Sequence, residues 1–383
     1  MITFNKPHLT GKEYEFIADA VDSKKISGNG KYTQLCHEFF ETRYGFKKCL
    51  LTTSCTDALE MCALLLGIEP GDEVIMPSYT FVSTANPFIL RGAKIVFSDS
   101  RSNHPGIDEG SVESLITSKT KAIVVVHYAG VACDMDQIMN IASKHDIFVV
   151  EDAAQAIESY YCGHDGVKRP LGTIGHLAAF SFHETKNIIS GEGGLLIIND
   201  DRFVAQSEIL WEKGTNRASF SRGEVAKYNW QSVGSSFLPS DIIAAFLYAQ
   251  LLKIDDIQKK RLAIWNSYYD TLNKVLPSSN FSLPIIPASA TNNAHMFYLI
   301  LEDKTSRDNL CDYLKSKGVF AVFHYVKLHD SPFYKKKHDG RALINASKFE
   351  TRLVRLPFYF DLNEDDISYI VKMIEQFFSE SAA

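Results

Sequence analysis

Residues 147–155 read Ile147-Phe148-Val149-Val150-Glu151-Asp152-Ala153-Ala154-Gln155, an apolar β-rich run that stops on two acids and then on small residues. Four consecutive apolar residues before a turn are the pattern of a strand buried on both faces, as in a parallel sheet. Asp152 then stands at the carboxyl end of that strand, the edge where open α/β sheets gather their ligands. An Asp there is also a good helix N-cap, and the stretch alone leaves both readings open.

The next informative stretch lies downstream, at Phe180-Ser181-Phe182-His183-Glu184-Thr185-Lys186-Asn187, followed by Gly191-Glu192-Gly193-Gly194 and the apolar run Leu195-Leu196-Ile197-Ile198. It sets Lys186 between a hydroxyl-bearing strand end and a glycine-rich turn. An amine attacks a carbonyl only when unprotonated, which burial in an apolar pocket or neighbouring cations can arrange. Most lysines are solvated surface charges, so Lys186 gains weight from its pairing with Asp152. A lysine that bonds an aldehyde cofactor, with a strand-end Asp to hold a pyridinium nitrogen protonated, is the pattern of pyridoxal phosphate enzymes.

Outward from these two stretches, short β-rich runs alternate with helical periodicity. Strands are expected at 48–52, 73–76, 94–97, 122–126, 147–150, 178–182 and 195–198. Helices are expected at 9–22, through Leu35, Phe39, Phe40 and Tyr44, and at 58–66, 111–116 and 135–143. This alternation implies βαβ units and an α/β fold whose sheet is mainly parallel, with helices on both faces. Thr53-Ser54-Cys55-Thr56-Asp57 opens a helix with small hydroxyl residues, which suits either a phosphate at the helix N-terminus or plain capping. Phe81, in Pro77-Ser78-Tyr79-Thr80-Phe81, sits where an aromatic can lie on a planar ring, though such a Phe is more often core. Gly163-His164-Asp165-Gly166 reads as a loop. Residues 214–240 are polar and too long for an ordinary connection, and long loops tend to carry function. One long helix is expected from 240 to 272, and the rest reads as a smaller α+β domain, giving a division at 1–245 and 246–383.

Composition narrows the classes. The 383 residues are 45% hydrophobic and 22% charged with a net charge of −6, which excludes a disordered or fibrous chain. No basic cluster exceeds Lys335-Lys336-Lys337, so no nucleic-acid partner is expected. The start at Met1 lacks a signal-peptide layout and no apolar run reaches membrane-span length, which makes cytoplasm the expectation and membrane attachment not. Seven scattered cysteines without a C-x-x-C argue against a disulfide framework and against a metal site.

Together these segments resemble the DegT/DnrJ/EryC1/StrS sugar aminotransferases, which are fold-type I pyridoxal phosphate enzymes. The resemblance runs from about residue 3 to 378. It is carried by Pro70-Gly71-Asp72-Glu73-Val74-Ile75, Thr80-Phe81-Val82-Ser83-Thr84-Ala85-Asn86, the Asp152 and Lys186 segments, and Gly191-Glu192-Gly193-Gly194. Within that family, His183-Glu184-Thr185-Lys186-Asn187, residues 127–133 and Gly234-Ser235-Ser236-Phe237 look most like the bacterial dTDP-4-amino-4,6-dideoxygalactose transaminases. The resemblance implies Lys186 as the catalytic lysine that bonds pyridoxal 5'-phosphate, Asp152 on the ring nitrogen, Gln155 near the ring hydroxyl and Phe81 on the ring face. It places Cys55, Thr56 and Ser181 around the phosphate, with Ser236 where many relatives carry an Asn that reaches the partner subunit's cofactor. His183, His324, Tyr325 and His329 are implied substrate-side residues, and Lys327 stands where Pro is common.

The implied reaction moves an amino group from L-glutamate to C4 of dTDP-4-keto-6-deoxy-D-glucose, in a homodimer with composite sites serving surface-polysaccharide synthesis. Competing expectations are amination at C3, a UDP sugar or the gluco epimer, and, from another class, a pyridoxal phosphate-binding regulator without turnover. A dehydratase of the family resembles this pattern with the lysine replaced, and here the lysine is present.

Overall fold

A computed structural model describes residues 1–275 and 280–381. The strands run in chain order as β1 (Lys48–Thr52), β2 (Glu73–Pro77), β3 (Lys94–Ser98), β4 (Thr120–Val126), β5 (Phe148–Asp152), β6 (Tyr160–Cys162), β7 (Lys168–Pro170), β8 (Leu177–Ser181) and β9 (Gly194–Ile198). Seven of them build one sheet in the order β1-β9-β8-β5-β4-β2-β3. Pairs β2–β3, β2–β4, β4–β5 and β5–β8 are parallel, and only β9 runs against its neighbours. The mainly parallel α/β sheet expected from the alternation is present.

Both faces are covered. Leu51, Ile75, Ile123, Val125, Val149, Phe180 and Ile197 face one apolar core, which also holds residues of the helices Lys31–Tyr44, Met135–His145 and Asp241–Leu251. Leu50, Val74, Met76, Val124, Val150, Ala179 and Ile198 face the other, with the helices Cys55–Leu65, Val82–Leu90 and Val204–Trp211. Alternate residues of each strand thus go to opposite cores, so every strand must be apolar along its length.

The C-terminal part forms a four-stranded antiparallel sheet of β10 (Phe281–Ser282), β11 (Tyr298–Leu301), β12 (Val322–Phe323) and β13 (Leu353–Arg355), in the order β10-β11-β13-β12. Leu299, Leu301 and Val354 point into a third core with Trp265, Tyr268 and the helix Glu364–Ser381. Tyr298, Ile300 and Leu353 join the second core of the large sheet. The small sheet is therefore docked face-on against the large one, and whatever follows Leu353 on that face is aimed at the junction.

The chain departs from expectation in several places. The single helix expected over 240–272 is two, Asp241–Leu251 and Ile254–Val275. Lys253 N–H bonds back to Gln250 at 3.0 Å, a tight three-residue closure that ends the first helix. Leu247 and Leu251 before the break and Ile254 and Ile257 after it pack under the large sheet, and further along the second helix Ile264, Tyr268 and Leu272 pack under the small one. The loop expected at 163–166 is the tip of the β6–β7 hairpin, and 111–116 is short turns of helix, Glu109–Val112 and Glu113–Leu115. The segment 214–240 is irregular apart from the short helix Arg217–Ser221.

Candidate active site

The carboxyl ends of β5 and β8, the start of the helix Cys55–Leu65 and the inner edge of the small sheet enclose a cavity of about 540 Å³. Its wall brings together ten of the residues singled out in the sequence: Cys55, Thr56, Phe81, Asp152, Gln155, Ser181, His183, Lys186, His324 and Tyr325. Two others lie elsewhere. His329 is buried with its Nδ1 2.6 Å from the Ser78 hydroxyl and is not on the wall, because the chain after Tyr325 turns inward to bond Leu328 N–H to Ser78 O. Ser236 is exposed in the 214–240 segment, paired by its backbone with Glu212.

Asp152 ends β5 and no helix follows it, so it is not a helix cap. Its Oδ2 accepts a 2.7 Å hydrogen bond from the Thr84 hydroxyl and its Oδ1 a 3.2 Å bond from Ala154 N–H. Burial pushes its carboxyl up, and those two bonds with the Lys186 charge offset this only in part. Lys186 rides the turn after β8. Burial pushes its amine down to about 8, with Arg355 assisting and the Asp152 and Cys55 groups opposing. Such an amine is still mostly protonated near neutral pH, but its neutral form, the one a nucleophile requires, is far more populated than in an ordinary lysine.

In the turn Gly191–Gly194, Gly191 takes a left-handed φ of 80° and Gly194 sits at a close approach. A Cβ on Gly194 would come within 2.4 Å of the Ser54 carbonyl carbon, where β9 passes the start of the helix Cys55–Leu65. That packing brings Ser181, at the end of β8, onto the same wall as Cys55 and Thr56. Ser54 does cap this helix, accepting from Asp57 N–H at 3.1 Å, and the Thr56 hydroxyl bonds Ser83 at 2.9 Å. Capping leaves room for an anion here, since the cap satisfies only one of the free N–H groups of the first turn.

Phe81 is 54% exposed although aromatic rings are usually covered. Its ring stands 5.9 Å from that of Tyr325 and leaves a face free over the cavity. Gln155 is held on both sides, its Oε1 accepting from Ala129 N–H at 2.6 Å and its Nε2 donating to the Tyr325 hydroxyl at 3.1 Å. Ala129 carries a left-handed φ of 56°, rare for a residue with a Cβ, and the Gln155 bond pins it. The His324 ring is kept neutral by burial and by the Arg355 and Lys186 charges, and its Nδ1 lies 2.9 Å from the Tyr128 hydroxyl.

This donor set fits pyridoxal phosphate: an amine that burial makes easier to deprotonate, a carboxylate for a ring nitrogen, an uncovered aromatic face, and a helix start flanked by hydroxyls for a phosphate. Thr84 and Tyr128 stand in stretches that carry the resemblance but have no role assigned from the sequence, and Arg355 stands in none. The signal for Arg355 was a charge inside the apolar run Leu353-Val354-Arg355-Leu356.

A profile of the DegT/DnrJ/EryC1/StrS aminotransferase family matches residues 7–375. The chain belongs to that family. Among its relatives is the spore coat polysaccharide biosynthesis protein SpsC of Bacillus subtilis, 31% identical over 97% of this chain and 96% of that protein. GDP-perosamine synthase of Escherichia coli O157:H7 is 30% identical over 98% of both chains. The crystal structure of the aminotransferase TlmJ from Streptoalloteichus hindustanus superposes over the full length of both chains with a TM-score of 0.90 at 25% identity. The protein is thus a pyridoxal phosphate-dependent sugar aminotransferase, working on a nucleotide-linked keto sugar and an amino donor. Among the described residues no helix is long and apolar enough to cross a membrane.

Proposed function

We propose that this aminotransferase aminates C4 of dTDP-4-keto-6-deoxy-D-glucose with L-glutamate as donor, giving dTDP-4-amino-4,6-dideoxy-D-galactose for a surface polysaccharide, as a cytoplasmic homodimer. The observation that carries the reading is the cavity itself, which sets the Lys186 amine, the Asp152 carboxylate and the free Phe81 face in one space of about 540 Å³. Bound there, pyridoxal phosphate supplies the electron sink for both halves of the amino transfer. Asp152 holds a proton on the ring nitrogen, Phe81 covers one ring face, and Cys55, Thr56 and Ser181 take the phosphate. Lys186 Nζ moves a proton to or from the sugar C4, for which it must come within about 3 Å of that carbon. His183, His324 and Tyr325 meet the hexose.

The choice of sugar rests on the resemblance of the Lys186 and Ser236 segments to galactose-type enzymes. Stereochemistry follows from which hexose face meets Lys186, so catalytic residues alone do not fix it. The test is amination of a panel of dTDP-, UDP- and GDP-linked keto sugars, with product NMR. Small H4 couplings to both neighbours mark the galacto product, and two large ones mark the gluco epimer and reject it. Amination of only a 3-keto, UDP or GDP sugar rejects the substrate.

The domain division at 1–245 and 246–383 and a composite site belong to the same proposal. Trp230, 80% exposed, and the solvent-facing Ser236 lie on the segment that would reach the partner. Mixing a Lys186→Ala subunit with one lacking the 226–236 loop should restore part of the activity if that segment completes the neighbouring site. Subunit exchange without recovery rejects it.

A further inference from the structure

Three arginines among the described residues are at least nine-tenths buried: Arg261, Arg307 and Arg355. Burying a guanidinium is costly unless its donors find acceptors, and the first two comply. Arg261 donates to the carbonyls of Ala294 at 3.1 Å and His295 at 2.7 Å, and Arg307 to the Asp308 carboxylate at 2.6 Å and the Glu350 carbonyl at 3.0 Å. Arg355 does neither. Among the described residues its side chain has no ion pair and no hydrogen bond, and its buried Nε is left without a partner. Its guanidinium carbon stands 4.8 Å from the Phe4 ring.

The backbone explains where it points. Arg355 is the last residue of β13, two along from Leu353, and so shares the face that packs toward the large sheet. It lines the cavity with Lys186, His324 and Tyr325. The groups whose charge it feels most are the hydroxyls of Tyr128, Tyr325 and Tyr79, and burial pushes all three up, so they stay neutral and supply no anion. Lys186 and a neutral His324 add none. The carboxylates of the same wall, Asp152 and Glu192, make no ion pair with it among the described residues, and an obligate cation left so awaits an anion from the ligand.

We propose that Arg355 binds the carboxylate of the amino-acid donor and so selects the donor in the first half of the transfer; this rests on the sugar-aminotransferase reading only for the existence of such a donor. Geometry separates this anion from the others. The donor carboxylate is attached to the carbon that bears the transferred nitrogen, so its receptor must lie deep, beside Lys186, where Arg355 is. The diphosphate of a nucleotide sugar stands a whole hexose ring from C4 and reaches toward the mouth. The cofactor phosphate belongs to the helix start at Cys55 and Thr56, on the large-domain wall. A guanidinium fork also matches a planar carboxylate in a way a point charge does not.

The test uses the loaded enzyme, with glutarate as a binding probe that cannot react. Glutarate should bind the wild-type protein by calorimetry and compete with L-glutamate. Arg355→Met should lose that binding and need about a hundredfold more L-glutamate for half-maximal bleaching of the cofactor, the loss expected when one partner of a buried charge pair is removed. Its donor half-reaction should fall at least about thirtyfold more than its keto-sugar half-reaction, with Arg355→Lys between the two. No glutarate binding by wild type overturns the assignment without recourse to any variant. An equal or larger loss in the sugar half-reaction overturns it in favour of the diphosphate, and failure to retain pyridoxal phosphate in favour of the cofactor. If the donor half-reaction behaves as stated but no dTDP sugar is aminated, the substrate proposal fails and the role of Arg355 stands.

Discussion

Glu151 and Asp152 are adjacent carboxylates at the end of β5, and they live in opposite worlds. The pleat sends them to different faces. Glu151 has no exposure and is saturated: it accepts from Gly172 N–H at 2.8 Å, Ile174 N–H at 2.8 Å, Gly175 N–H at 2.6 Å and the His127 ring at 2.9 Å. Because His127 Nδ1 accepts from Cys133 N–H at 3.3 Å, it is Nε2 that carries the proton toward Glu151. Burial pushes the Glu151 carboxyl up, yet the His127 bond and the loop N–H groups win and hold it below the usual range. Asp152 has two donors and an open cavity, and its carboxyl is shifted up. Saturated charge here builds the scaffold that leads into β8. Charge left short of partners, on Asp152, Lys186 and Arg355, faces the cavity and is kept for ligands.

The largest effect expected on this view is at Lys186. Lys186→Ala should abolish turnover and the absorbance of the lysine-bound cofactor while the fold persists, since that side chain has no hydrogen bond to lose among the described residues. Retained turnover with an unchanged spectrum would place the chemistry elsewhere.

Next, the two acids should part company. Asp152→Asn should slow transamination at least about a hundredfold with little change in melting temperature. Glu151→Ala should cost about 3 kcal/mol of stability, because it strands three loop N–H groups and His127, yet leave the rate per folded molecule within about threefold. Denaturant melts and kcat on the same preparations read both. If Asp152→Asn unfolds the protein and Glu151→Ala slows it, the division of labour is wrong.

That division was half visible in the sequence. A strand buried on both faces must be apolar until it ends, so Val149 and Val150 announce β5 and the two acids announce its edge. Which acid meets the ligand is not written there, since a one-residue slip in register exchanges their faces. The Lys186 turn was legible because glycines must lie where β9 crosses the helix start. Arg355 was not, because β13 is three residues long and is placed at the cavity by pairing with Tyr298 and Val322, both distant in sequence. The break at Leu252 was hidden because helical periodicity continues through it, with Ile254 and Ile257 beyond the break packing in the same core as Leu247 and Leu251. His329 was carried into the site by its neighbours His324 and Tyr325, and the inward turn that removes it depends on Ser78.

The smallest and most quantitative expectation concerns pH, and it tests whether the cavity charges act on one another. Only the neutral Lys186 amine can capture pyridoxal phosphate, so the capture rate of cofactor-free protein should climb about tenfold between about pH 7 and about pH 9 and flatten above, given an amine held at about 8. An ordinary lysine would keep gaining rate toward pH 10.5. Since Asp152 opposes the shift and Arg355 assists it, Asp152→Asn should move the midpoint to lower pH and Arg355→Met to higher. The same shift fixes the sign for stability. Between about 8 and the unfolded value near 10.5 the unfolded chain binds the extra proton, so at this group stability of the cofactor-free protein rises with pH across that window, and the cost is fully present below it. Opposite movement of the two midpoints would confirm that charges left short of partners are tuned against each other. A midpoint that neither substitution moves would mean burial alone sets the amine, and that Asp152 and Arg355 act on ligands without acting on Lys186.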